Sequence, residues 1–401
     1  MLILIQAKLF AQEDCFECHG DVELITIDEN DNEISLYVDS NLFANSIHGK
    51  LGCIACHTDA EEIPHEEKLE RVDCSGCHND AYRIYQSSIH AEAKEEGATE
   101  AASCIDCHSK HDILTSANPK SRTHPLKLAA TCAVCHADPK IVKKYHIPVS
   151  DPLAAYKKSV HGIAVLSEQN FDAATCTSCH GSHEIRTMDD PRSPIYWKNV
   201  PETCGQCHGQ IYEQYTESVH WGATRQGIRE APVCTDCHGE HEVKSPQDPE
   251  SPVHPLRVSA ATCERCHDSE LITNQYGLPE DRGETFEQSY HGLAIKGGSL
   301  AAANCASCHG IHNILPSSDP RSLIHPANLA KTCGTCHQGA TANFAKGPVH
   351  LTTTTTPGRV VQLVQKFYIL LIVIIIGGMI IHNSADFIRR AKRKVRQRVE
   401  P

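Results

Sequence analysis

Each of the 22 cysteines in this 401-residue chain belongs to a pentapeptide of the form C-x-x-C-H. There are eleven: Cys15, Cys18 and His19; Cys53, Cys56 and His57; Cys74, Cys77 and His78; Cys104, Cys107 and His108; Cys132, Cys135 and His136; Cys176, Cys179 and His180; Cys204, Cys207 and His208; Cys234, Cys237 and His238; Cys263, Cys266 and His267; Cys305, Cys308 and His309; Cys333, Cys336 and His337. The pattern suits covalent haem attachment. Two thiols add to the vinyl groups of a porphyrin, and the adjacent histidine ligates the iron from the proximal side. Zinc half-sites do not require that histidine, and redox C-x-x-C pairs do not come in arrays, so the expectation is eleven haems c. No cysteine is left for a disulfide or a catalytic thiol.

Six-coordinate haems need a second axial ligand each, and further histidines recur in three classes. The first follows an aromatic residue and a serine: Phe43, Ser46 and His48; Tyr85, Ser88 and His90; Tyr156, Ser159 and His161; Tyr215, Ser218 and His220; Phe286, Ser289 and His291; His350 is a looser sixth copy. The second lies three residues after a proximal histidine, at His111, His183, His241 and His312, with Ile or Val two residues on. The third sits eight or nine residues before the next unit: His124, His254 and His325, each followed by proline, and His65 without it. The first class follows the haems of His19, His78, His136, His208, His267 and His337 and is expected to serve them. On that register His78 relies on His90, and His136 on His161. The second class with His65 is expected to serve His57, His108, His180, His238 and His309, because a ring one turn past a proximal ligand reaches a neighbouring haem and not its own. His124, His254 and His325 are expected as partners of propionates, or as distal ligands in some modules only. Ala60 and Tyr196 interrupt the second and third classes. An open coordination position is therefore to be sought there, first in the module of His180 and His208. His146 fits no class.

The elements that must position these residues read as short. Aromatic residues are only 5% of the chain, too few for an ordinary core of this size, so the porphyrins are expected to supply the apolar volume. The expected fold is mainly α with much irregular structure, an extended multihaem array organised by eleven haems. Near-alternating apolar residues at 21–40, around a polar Asp28–Glu33 run, predict a small N-terminal β-hairpin. Residues 1–11 resemble the end of a secretory signal; 12–350 are expected to form the periplasmic haem domain, built of two-haem repeats, and 351–359 a linker. Residues 360–384 are apolar enough for one transmembrane helix, and Gly377-Gly378 would allow close helix packing. Seven basic residues in 389–401 place the tail, 385–401, in the cytoplasm. His382 lies near that end of the helix. The formal charge is −13, and −19 without residues 389–401. That balance argues against nucleic acid as a partner and suits a basic redox protein.

Segments such as CIDCHSKHDIL…TCAVCH, with SIHG at 46–49 and SVHG at 159–162, resemble membrane-anchored multihaem c-type cytochromes of bacterial respiratory chains, over residues 15–350. The helix ending IIHNSADF resembles anchors of cytochromes that work beside a b-type membrane subunit. The resemblance implies an electron conduit in the bacterial inner membrane, haem domain in the periplasm, C-terminus in the cytoplasm. It would connect a b-type cytochrome or other quinol-linked membrane partner with periplasmic or extracellular redox proteins, and would not itself be an enzyme. The alternative is a multihaem reductase or oxidase of a small nitrogen or sulfur compound with one five-coordinate haem. All eleven units end in histidine, which argues against the variant with a proximal lysine.

Overall fold

The computed structural model describes residues 12–28, 31–66, 68–149, 151–347, 349–350 and 356–399. The expected signal segment 1–11 and most of the expected linker lie outside them. The described chain is mostly short helices joined by turns. The expected hairpin is present: Ile25–Ile27 pairs antiparallel with Glu33–Ser35, Thr26 opposite Ile34. It lies largely open to solvent, with Ile27 63% exposed.

Helices of five to twelve residues do not hold themselves together in water, so packing must. The polypeptide alone provides little of it. Only ten apolar residues are buried among those described, three of them alanine. The accessible surface is 28140 Å², against about 15,500 Å² for an ordinary folded chain of 44.1 kDa. So few buried side chains are consistent with the expectation that the porphyrins supply apolar volume.

Two compact units are present, one reaching His254 and including His312–Ile314, the other made of Pro255–Ile311 and the chain from Leu315 on. In the first, segments far apart in sequence are stitched by single backbone bonds. The N–H groups of Ile47, Ile89, Val160 and Val219 donate to the carbonyls of Ile113, Ile185, Val243 and Ile314, at 2.8–2.9 Å. Each donor immediately precedes a first-class histidine, and each acceptor is the Ile or Val two residues after a second-class one. In the second unit Asn304 Nδ2 donates to the Pro255 carbonyl, and the Cys305 N–H to Ser259 Oγ.

The C-terminal helix runs from Thr356 to Val399, beginning inside the expected linker and continuing through the basic tail. Its stretch Arg359–Arg393 is long and apolar enough to cross a membrane and is not buried by the rest of the protein. Lysine and arginine are good helix formers, so the helix carries on beyond the apolar part, and Arg390 pairs with Asp386 one turn back.

Candidate functional site

Four of the C-x-x-C-H units are one-turn helices, Cys104–His108, Cys176–His180, Cys234–His238 and Cys305–His309. Their starts are capped from within the motif. The side chain before the second cysteine (Asp106, Ser178, Asp236 or Ser307) accepts the N–H of the residue before the first, at 2.7–3.1 Å. Each turn is then broken at once by a positive φ, at Ser109 (74°), Gly181 (79°), Gly239 (79°) and Gly310 (90°). That break releases the chain two residues before the second-class histidine.

First-class histidines are positioned differently. The serine two residues earlier caps a short helix: Ser88 Oγ accepts from Ala91, Ser159 from Gly162, Ser218 from Trp221 and Ser289 from Gly292. The histidine is thereby set in the first turn. The tyrosine hydroxyl three residues before the serine donates to a carbonyl just ahead of the next haem motif, Tyr85 to Ala102, Tyr156 to Ala174 and Tyr215 to Pro232. One distal segment is thus tied to the following attachment site.

These supports bring histidines together in pairs. Ring centroids lie 5.9 Å apart for His19 and His65, 5.8 Å for His78 and His48, 6.2 Å for His57 and His111 and 6.1 Å for His136 and His90. The series continues with His108 and His183 (6.0 Å), His208 and His161 (6.2 Å), His180 and His241 (5.9 Å) and His238 and His312 (6.2 Å). In the second unit His337 lies 6.1 Å from His291, and His309 6.4 Å from His350. Two metal–nitrogen bonds of about 2 Å, plus the depth of two half-rings, come to about 6 Å. The pairs therefore have the spacing of two axial ligands on one iron.

The register differs from the expected one. His78 meets His48 and not His90; His136 meets His90 and not His161. A first-class histidine reaches forward along the sequence, past the next unit, to the second unit of the module that follows it. A second-class histidine serves the first unit of the module before its own, as His111 does for His57. His350 meets His309 and not His337. The open positions suspected at Ala60 and Tyr196 have a different cause. A second-class histidine at 60 would face His19, and His65 does so instead. Tyr196 holds the turn that His124, His254 and His325 hold, each N–H donating to the carbonyl of Ser193, Ser121, Ser251 or Ser322 three residues earlier. His180 and His208 both have ring partners.

The electrostatics suit ligation at most pairs. Burial, with the second ring beside it, pushes His180 down to about 4. Burial lowers His57, His90, His108, His111, His136, His161, His238, His309, His312 and His350 as well. Neutral imidazoles keep the lone pair that a metal needs. His19 Nδ1 donates to the Leu36 carbonyl at 2.9 Å and His65 Nδ1 to the Glu66 carbonyl at 2.7 Å, which leaves Nε2 of each for coordination. The hairpin's role is therefore to orient His19. Thr285 Oγ1, 3.1 Å from Nδ1, does the same for His350. His57 Nδ1 is buried without a hydrogen-bond partner.

The third class is different in kind. His124 caps the helix Pro125–His136, its Nδ1 accepting the Leu126 N–H at 3.2 Å, and His325 accepts from Ala327 in the same way. A neutral ring whose Nδ1 accepts carries its proton on Nε2 and has no free lone pair, so these two do not fit the ligand role. His-Pro read as N-cap followed by the first helical residue is the sequence signal for this. His254 is buried in the equivalent turn. His146 is exposed at φ 53°. Within each unit successive attachment segments adjoin: Cys15 meets Cys53, Cys74 meets Cys104, Cys132 meets Cys176, Cys204 meets Cys234, and Cys263 meets Cys305.

Residues 49–221 match the family of outer membrane cytochromes MtrC/MtrF-like, domains II/IV, and residues 195–268 that of cytochrome c7 and related cytochrome c. The cytochrome c-type protein NrfB of Escherichia coli O6:H1 is 24% identical over 191 residues, 47% of this chain and 77% of its own length. No solved structure matches.

Proposed function

From the premise that the chain is a multihaem c-type cytochrome, we propose that it holds eleven haems c and passes electrons along them between a quinol-linked membrane partner, such as a b-type cytochrome, and a basic redox protein outside the membrane. Haem supplies one-electron Fe(II)/Fe(III) exchange; the chain holds, orders and insulates the groups. The ten histidine pairs at 5.8–6.4 Å carry the reading. Ten of the eleven proximal histidines then have a distal partner, in His48, His65, His90, His111, His161, His183, His241, His291, His312 or His350. His220 and His267 occupy the same repeat positions as the members of those pairs, and we give them the same roles, distal and proximal. Iron with two imidazoles has no position for a substrate, so the chain conducts and does not catalyse.

The adjoining attachment segments support a path that follows sequence order within each unit. The apolar helix supports an anchor in the inner membrane, with the haem region in the periplasm and the basic end in the cytoplasm. Charge supports the outer partner: residues 12–73 carry 17 Asp and Glu against three Lys and Arg, a net of −14, whereas residues 74–350 carry only −7. The test is optical and EPR spectroscopy of the intact holoprotein with and without carbon monoxide. Low-spin spectra unchanged by the gas are expected. A haem that binds carbon monoxide overturns the pure conduit.

A further inference from the structure

The ring planes within the pairs fall into two sets. Four pairs are close to parallel, His19 with His65 (7°), His180 with His241 (12°), His238 with His312 (18°) and His108 with His183 (20°), and His57 with His111 is tilted by 36° and falls nearest to them. Five are turned further towards a crossed arrangement: His78 with His48 (47°), His208 with His161 (48°), His337 with His291 (49°), His309 with His350 (52°) and His136 with His90 (70°). The division follows the distal segment and not the proximal one. His309 begins a doublet as His57 and His108 do, yet its ring is crossed with that of its partner. That partner, His350, is the looser copy of the aromatic–serine–histidine class.

The backbone gives a reason. A second-class ring hangs from an irregular segment just after the positive-φ break at Ser109, Gly181, Gly239 or Gly310. Four first-class segments, at His90, His161, His220 and His291, start a helix whose serine cap fixes the orientation of the first turn. Two ways of leaving the backbone aim the imidazole at two rotations about the iron–nitrogen axis.

Ring rotation has electronic consequences. An axial imidazole donates π density perpendicular to its own plane. Parallel rings act on one iron dπ orbital and separate it from the other. Crossed rings act on one orbital each and leave the two nearly degenerate. Near-degeneracy gives a highly anisotropic low-spin EPR signal at large g, and weaker stabilisation of the ferric state raises the potential; a clear separation gives an ordinary rhombic signal. We infer that the class of distal segment sorts the haems into two redox populations, alternating from His57 to His238, with lower-potential rhombic sites on His65, His111, His183, His241 and His312, and higher-potential large-g sites on His48, His90, His161, His291 and His350.

This inference rests on the proposed ligation, and one experiment separates the two. Low-temperature EPR of the oxidised holoprotein is expected to show rhombic and large-g low-spin signals of similar integrated intensity, the large-g set disappearing first in a reductive titration. The variant H111A is expected to move one spin from the rhombic set to high spin, and H161A one spin from the large-g set. If either fails to accumulate, H183A or H90A replaces it in the same class. A single low-spin family, or both variants draining the same family, overturns the sorting while leaving bis-histidine ligation standing. High-spin signals in the unmodified protein overturn the ligation itself.

Discussion

Ser109 occupies a conformation that its counterparts give to glycine. At φ 74° and ψ −176° it lies in a region open essentially only to glycine, which costs a side chain of order 1–3 kcal/mol. Its hydroxyl recovers part of this by donating to Asp112. The variant S109G is expected to gain about 1 kcal/mol, read as a higher denaturation midpoint of the holoprotein. Gly162 is the opposite case. A Cβ there would lie 1.8 Å from the Tyr156 carbonyl, and backbone cannot yield, so G162A is expected to cost about 1–3 kcal/mol and to displace His161, read as a new high-spin haem. G222A, where the added carbon would meet nothing within 4 Å, is expected to leave the spectrum unchanged. The eleven C-x-x-C-H units were legible at this scale as a pattern of residue type and spacing. The three histidine classes were legible as classes. What separates His111 from His124 is which ring nitrogen the backbone occupies, and that needs the fold.

Short helices do their work through their ends. Removing the Asp236 carboxylate from the Val233 N–H in D236A is expected to cost about 1 kcal/mol in thermal or denaturant unfolding, as the loss of an N-terminal cap does. The surface tie between Glu100 and the end of the helix Pro139–Lys144 gives a pH signature. Hydrogen bonds from Lys144, and then from Tyr145, hold the Glu100 carboxyl at about 2. A depressed carboxylate contributes stability above its unfolded pKa of about 4 and loses it as pH falls towards the folded value. Acid unfolding curves of E100Q are therefore expected to converge with those of the unmodified protein as pH falls to about 2. The hairpin was legible from alternation, yet neither its exposure nor its hold on His19 was. Alternation reports local geometry; the partner of a backbone carbonyl such as that of Leu36 is a tertiary matter. The pairing register was missed for the same reason. Proximity in sequence favoured the next histidine downstream, and the stitching bonds of Ile47, Ile89, Val160 and Val219 decide otherwise.

With so few buried side chains among the described residues, the molecule is expected to take much of its core from its porphyrins. Chain produced without haem attachment is expected to lack a cooperative thermal transition by circular dichroism, whereas the holoprotein shows one. The acidic concentration at residues 12–73 sets a second expectation at this scale. Electron exchange with a lysine-rich monohaem cytochrome, followed by stopped flow, should slow as salt rises through the range where the Debye length falls below about 10 Å. Exchange with an acidic cytochrome should be slower and should quicken with salt. Equal rates with both remove the charged end as a docking site.

The direction in which the histidine pairs reach has a bearing on how the protein is made. On the proposed ligation, the second haem of a doublet finds its distal ligand already synthesised, as His78 finds His48. The first haem must wait for chain still to come: His57 waits for His111, and His238 for His312. A chain emerging N-terminus first therefore carries an unfinished site at its trailing edge, handed on from module to module. His350, six residues before the apolar helix begins, closes the last of them on His309. Maturation thus has a built-in end signal: a chain shortened by its last modules keeps one reactive five-coordinate haem, and only one that has reached the membrane anchor has none.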